Sequence, residues 1–175
     1  MLALLAGRLS KPGERLGVID GEFRVLNLSD YERSIVDQAK TILMHHLAKP
    51  GAYLQSPEAV RCYLELELAG EQNEVFCVLF LDTQHRVLTF KRLFQGSIST
   101  ASIHTRVIVQ EALKCNAAAM ICAHNHPSGD PEPSQDDRIC TGKVKDALNL
   151  IEVRLLDHFV IGHGKYASFA ERGLL

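Results

Sequence analysis

The chain has 175 residues, 46% hydrophobic and 23% charged, with a formal net charge of −2. That composition suits one compact globular domain with a real core and excludes a disordered or fibrous chain. Near-neutral charge, no Trp and no Lys/Arg run leave no strong nucleic-acid footprint, and no stretch approaches the ~20 apolar residues of a membrane span.

Residues 1–28 carry weak signals. "MLALLAG" is apolar but short, and Arg8 and Lys11 follow it, the wrong order for a signal peptide. "KPGERLG" reads as a turn and "EFRVLNL" as a short strand or loop. The next segment predicts a helix. Ser29 or Asp30 caps it, Ile35, Ala39, Ile42, Leu43 and Leu47 recur at helical spacing, and Pro50-Gly51 ends it. His45 and His46 are neighbours on different faces and read as helix-surface residues. A second helix opens at Ser56-Pro57 and stops at Gly70.

"NEVFCVLFLD" is a nearly continuous apolar run, as in a buried strand. "TQH" turns the chain into "RVLTFKRLFQG", a second strand antiparallel to the first. "HTRVIVQEALKCNAA" is an amphipathic helix, and "AAMICAH" a short buried strand ending at His124. After a Pro-rich loop, Ser134 opens a helix to about Leu150. "EVRLLDHFVIG" and "GKYASFAERGLL" close the chain as a strand and a short strand with a tail. The order is helices, then β-β-α-β-α-β-β. This predicts an α/β or α+β domain, with a sheet flanked by helices and its chemistry on the loop after a central strand. The five cysteines are odd in number and contain no C-x-x-C, so they read as buried, reduced thiols of a cytosolic protein rather than disulfides or a zinc ribbon.

That loop belongs to "ICAHNHPSGDPEPSQDD", residues 121–137. In an extended segment His124 and His126 point the same way, so two imidazoles can reach one ion. Pro127, Gly129, Pro131 and Pro133 stiffen the return to Asp137, in the first turn of the next helix. Two His and one carboxylate leave a fourth position open, the pattern of a catalytic zinc site. Each part also has a plainer reading. H-x-H can be a polar strand end, Ser134-x-x-Asp137 a capping box, and Asp130, Glu132 and Asp136 solvated loop charges. A hydrolytic centre needs a general base from outside the ligand set. Glu74, entering the apolar strand, is the leading candidate, though it also reads as a solvent-facing residue like Glu71.

Glu74, then His124-Asn125-His126, seven residues, Ser134, two residues and Asp137 resembles the RadC-like branch of the JAMM (MPN+) metalloprotease superfamily. "EALKCNAAAMICAHNHPSGDPEPSQDD", "LLDHFVIG" and "SFAERGLL" resemble that branch in particular. The resemblance covers about residues 55–175 and leaves residues 1–54 as a helical extension. It implies a mixed sheet flanked by helices, in a deaminase-like arrangement. It implies one Zn2+ held by His124, His126 and Asp137, with Glu74 moving the proton and Ser134 steadying the oxyanion. The implied reaction is hydrolysis of a peptide or isopeptide bond in a protein substrate.

Two features depart from the branch. Ile103-His104-Thr105-Arg106 lacks the proline common there, though His104 and Arg106 remain candidate cleft residues. Residues 1–54 are too short for the branch's helix-hairpin-helix element, so the chain resembles the short forms carried by mobile elements. Nucleic acid enters by family association only. The expected setting is cytoplasmic, with no membrane partner, and an exposed edge strand could support a homodimer. Three other classes compete. A metal-dependent nuclease matches "HNH" only nominally, because HNH residues are dispersed over a ββα motif. A zinc deaminase needs a glutamate two residues after the histidine and a P-C-x-x-C, both missing. A non-catalytic, DNA-repair-associated or protein-binding module is disfavoured by the complete motif.

Overall fold

The computed structural model describes residues 28–48, 57–68, 70–96 and 103–175. The expected turn and strand before residue 28, the Pro50-Gly51 stop, the Ser56 cap and the boundary at residues 54–55 lie outside them. The elements are α1 (Asp30–Ala48), α2 (Pro57–Leu68), β1 (Val75–Leu81), β2 (Val87–Gln95), α3 (Thr105–Lys114), β3 (Ala119–Asn125), α4 (Gln135–Asn149), β4 (Arg154–Ile161) and β5 (Tyr166–Ser168). Gly70, at φ +81°, follows α2 in the left-handed region that favours glycine. Among the described residues, no helix is long and apolar enough to cross a membrane.

The strands form one mixed sheet in the order β2-β1-β3-β4-β5. Among the described strands only β3 and β4 pair in parallel, with α4 as their crossover. β1 and β3 are buried on both faces from end to end and read as unbroken apolar runs, while β4 is fully buried only over His158–Ile161. One face carries Cys77, Leu79, Leu81, Ile121, Ala123 and Phe159 against Val60 and Leu64 of α2. The other carries Phe76, Val78, Phe80, Met120 and Cys122 against Ile108 and Ala112 of α3 and Val144 and Leu148 of α4.

Two expectations need correction. Ile35 and Ile42 are not on the inner face of α1; they are 48% and 59% exposed. The inward arc runs through Lys40, Leu43, Met44 and Leu47, with Leu47 buried and Lys40 reaching Glu67 of α2 at 3.8 Å. One residue of offset turns a helical side chain by about 100°. All five cysteines are free, but only Cys77 and Cys122 are buried; Cys62, Cys115 and Cys140 are half-buried. His45 and His46 are exposed, as expected.

A candidate metal centre at the end of the central strand

The centre is built where β3 runs out of the core. His124 is the sixth residue of β3 and fully buried, and His126 stands just past the strand end. The expected same-side projection holds, because their Nε2 atoms lie 3.0 Å apart. The Pro-rich loop then folds back along the end of β4. The His126 N–H donates to Ile161 O at 2.8 Å, and the His163 N–H donates to Gly129 O at 3.1 Å. Gly129 has φ +84°, and a Cβ there would stand 2.5 Å from His163 Nδ1. The loop therefore needs glycine both for its backbone angle and for its close approach.

Asp137 comes from α4. The buried stripe of that helix is Asp137, Thr141, Val144 and Leu148, so an apolar face turns polar where it reaches the histidines. Ser134 is the N-cap and forms a capping box with Asp137. The capping and ligand readings are thus compatible. Asp137 Oδ2 accepts from the Ser134 N–H and hydroxyl at 2.7 and 2.6 Å, while Oδ1 lies 3.2 Å from His124 Nε2.

One ligand atom from each of His124, His126 and Asp137 falls within 4.8 Å of the others, so the three can hold one ion. A tetrahedral ion with bonds of about 2.0–2.1 Å has donor–donor edges of about 3.3–3.4 Å. The two histidine Nε2 atoms, 3.0 Å apart, and the His124 Nε2–Asp137 Oδ1 pair, 3.2 Å apart, come close to that size, while His126 Nε2 lies 3.5 Å from the other carboxylate oxygen, Oδ2. The donor chemistry fits as well, with two imidazoles and a carboxylate converging. Burial would raise the Asp137 pKa, but its contacts with the two histidines and Ser134 hold it well below the usual carboxylate range. The Asp137 carboxylate in turn raises His126.

Glu74 stands just ahead of β1. β1 and β3 are antiparallel and their outermost pair is Phe76 with His124, so Glu74, two residues before Phe76, and His126, two after His124, stand at the same end of the sheet. The Glu74 charge also contributes to raising the His126 pKa. Asn125, the residue between the two histidines, holds this segment. Its Oδ1 accepts from the Val75 N–H at 2.8 Å, and its Nδ2 donates to Asn73 O at 3.0 Å. One buried side chain thus grips the backbone on both sides of Glu74. His104 and Arg106 lie exposed at the start of α3, outside the donor cluster. The His104 ring meets Phe94 edge-on. Asp130, Glu132 and Asp136 are exposed, as expected, yet Asp130 contributes its backbone carbonyl, 2.7 Å from His126 Nδ1.

Sequence reasoning missed Asn125, Thr141 and His158. His158 of β4 is buried, with Phe76 edge-on to its ring and Phe169 stacked on it. Its Nε2 lies 2.8 Å from His124 Nδ1 and its Nδ1 lies 2.7 Å from Thr141 Oγ1. Burial, with His124 beside it, pushes its pKa well down and keeps it neutral. The available signal was a lone histidine in an apolar strand beside a polar pair at i, i+4 on the inner face of α4.

The model of the RadC-like JAB domain matches residues 54–174. A UPF0758 protein of Vibrio cholerae is 47% identical over 151 residues, covering 86% of this chain and 94% of its own length. UPF0758 proteins of Methylibium petroleiphilum and Ectopseudomonas mendocina are 46% and 47% identical over 98% of this chain, and it spans 76% and 73% of them.

Proposed function

The chain belongs to the RadC-like JAB domain family, and on that premise we propose that it is a zinc-dependent hydrolase of peptide or isopeptide bonds. Membership makes it a hydrolase-like module with a site able to hold a metal ion. The observation that carries the finer reading is the three-donor centre with a carboxylate outside it. His124, His126 and Asp137 would hold the ion, and Glu74, whose charge acts on His126, lies outside the donor set.

A bound zinc would supply a water of lowered pKa and a Lewis acid for the scissile carbonyl. The remaining work falls to the chain. Glu74 accepts a proton from the attacking water and returns it to the leaving amine, so that water and an amide give an acid and an amine. Ser134 offers a hydroxyl at the rim of the centre. It now donates to Asp137 Oδ2 and would have to turn from that bond to donate to a developing oxyanion. The substrate would be a peptide or protein.

The test is metal content by elemental analysis of protein purified without chelator, followed by assay on peptide, isopeptide and small amide substrates. About one zinc per chain is expected, lost in His126→Ala and Asp137→Ala. Glu74→Gln should keep the zinc and lose about 10²–10⁴-fold in hydrolysis. A folded, zinc-loaded wild type that cleaves none of these substrates would overturn the amidohydrolase reading.

A further inference from the structure

His124 and His126 present the same atom, Nε2, to the centre, but the outer nitrogens of their rings are held differently. His126 Nδ1 faces the backbone carbonyl of Asp130. A carbonyl can only accept, so His126 Nδ1 carries a proton and Nε2 is the nitrogen free to offer a lone pair. His124 Nδ1 faces a second imidazole, His158, which can accept or donate. That contact alone leaves the tautomer of His124 open.

The next bonds close it. Thr141 Oγ1 lies 2.6 Å from Asp137 O and 2.7 Å from His158 Nδ1. The hydroxyl has one proton, and a carbonyl oxygen has none. Thr141 must therefore donate to Asp137 O and accept from His158 Nδ1–H. A neutral His158 with its proton on Nδ1 has a bare Nε2, which accepts from His124 Nδ1–H. His124 Nε2 is left to face Asp137 Oδ1 and His126. All the groups of this chain are buried, so water does not offer a substitute partner.

We propose that His158 and Thr141 are positioning residues that hold a proton on His124 Nδ1 and so keep its Nε2 facing the metal centre. The proposal rests on reading His124 as a ligand, but the proton on Nδ1 follows from the hydrogen bonds of the metal-free protein, whether a proton or an ion sits between Nε2 and Asp137 Oδ1. The hydrogen-bond chain also links three elements. It starts at a ligand ring on β3, crosses to β4, enters α4 at Thr141 and ends on the carbonyl of Asp137, the residue that supplies the carboxylate ligand. It thereby ties two donors from separate elements to one directional set of bonds, and such outer partners set ring orientation and ligand basicity.

The experiment uses the full chain, labelled with 15N at histidine. Imidazole nitrogen spectra are recorded without metal at about pH 8.5, above the ordinary imidazole range, and zinc affinity is measured on the same samples. Wild type should show His124 protonated at Nδ1. Thr141→Val removes the hydroxyl at nearly constant volume and frees His158 to carry its proton on Nε2. His124 Nδ1 should then lose its proton, and zinc affinity should fall by about 10–100-fold. Thr141→Ser should restore both readouts. His158→Gln, which can still accept from His124 and donate to Thr141, should retain more affinity than His158→Phe.

A His124 Nδ1 still protonated in folded Thr141→Val would overturn the proposal, as would a loss in Thr141→Ser equal to that in Thr141→Val. A wild type that takes up no zinc while showing the expected Nδ1 proton, with its loss in Thr141→Val, would sink the zinc reading and leave the hydrogen-bond chain supported.

Discussion

Ser134 and Asp137 exchange three hydrogen bonds, and this exchange turns a helix cap into a ligand mount. The Asp137 N–H donates to Ser134 Oγ at 3.1 Å, while the Ser134 N–H and hydroxyl both donate to Asp137 Oδ2. With Oδ2 occupied, Oδ1 is turned toward His124. The same bonds that end α4 orient the carboxylate.

Ser134→Ala should therefore do two things at once. Loss of an N-cap costs about 0.5–2 kcal/mol, read by urea unfolding of metal-free protein. The freed carboxylate should also bind zinc more weakly, read by competition with a chromophoric chelator. A purely structural cap would show the first effect without the second.

Asn125→Ala removes the acceptor of a buried N–H and the donor to Asn73 O. A buried donor left unpaired costs about 1–3 kcal/mol. Because Asn125 grips the backbone around Glu74, the variant should keep zinc while losing hydrolytic rate. Metal content and single-turnover assay on one preparation check this. Loss of zinc with unchanged rate per bound metal would refute the assignment.

Zinc uptake should weaken as pH falls. The Asp137 carboxylate raises the His126 pKa above its ordinary 6.5, so His126 holds a proton that the ion must displace. In the metal-free protein the signs run the other way. The raised His126 stabilises fully below about pH 6.5 and loses that contribution as pH rises through its folded value. The depressed Asp137 stabilises above about pH 3.8 and loses it as pH falls through its own folded value. Chelated protein should therefore be most stabilised by this pair between about pH 4 and 6.5. Thermal unfolding across pH, with and without zinc, should show the two profiles diverging above that window.

Gly162→Ala should loosen the centre from outside it. A Cβ at residue 162 would stand 2.3 Å from the backbone oxygen of Gly129, and backbone cannot swing aside as a side chain can. The return loop must shift, carrying the Asp130 carbonyl away from His126 Nδ1. A loss of about 1–3 kcal/mol is expected, with weaker zinc binding. Chemical denaturation and zinc titration measure both.

The strands, the later helices and the donor triple were legible in the sequence because each is written in neighbouring residues. A run such as Val75–Leu81 announces a strand buried on both faces. His124 and His126 must project together once the segment is extended, and Ser134-x-x-Asp137 must start a helix. The inward face of α1 was misjudged because Ile35 and Ile42 satisfy helical spacing as well as Leu43 and Leu47 do. Only packing against α2 and β2 decides which arc turns inside.

By itself, then, the sequence determined the order of elements, the nature of the donors and the side from which they approach. All of these follow from backbone periodicity and turn chemistry over a few residues. The tertiary structure decided what surrounds the donors. The antiparallel register of β1 on β3 brings Glu74 to the same end of the sheet as His126, with Asn125 gripping the backbone beside it, and the parallel pairing of β3 with β4 brings His158 beside His124. These partners lie about fifty and thirty-four positions apart in the chain. Their pairing depends on strand register and helix rotation, which no local pattern encodes.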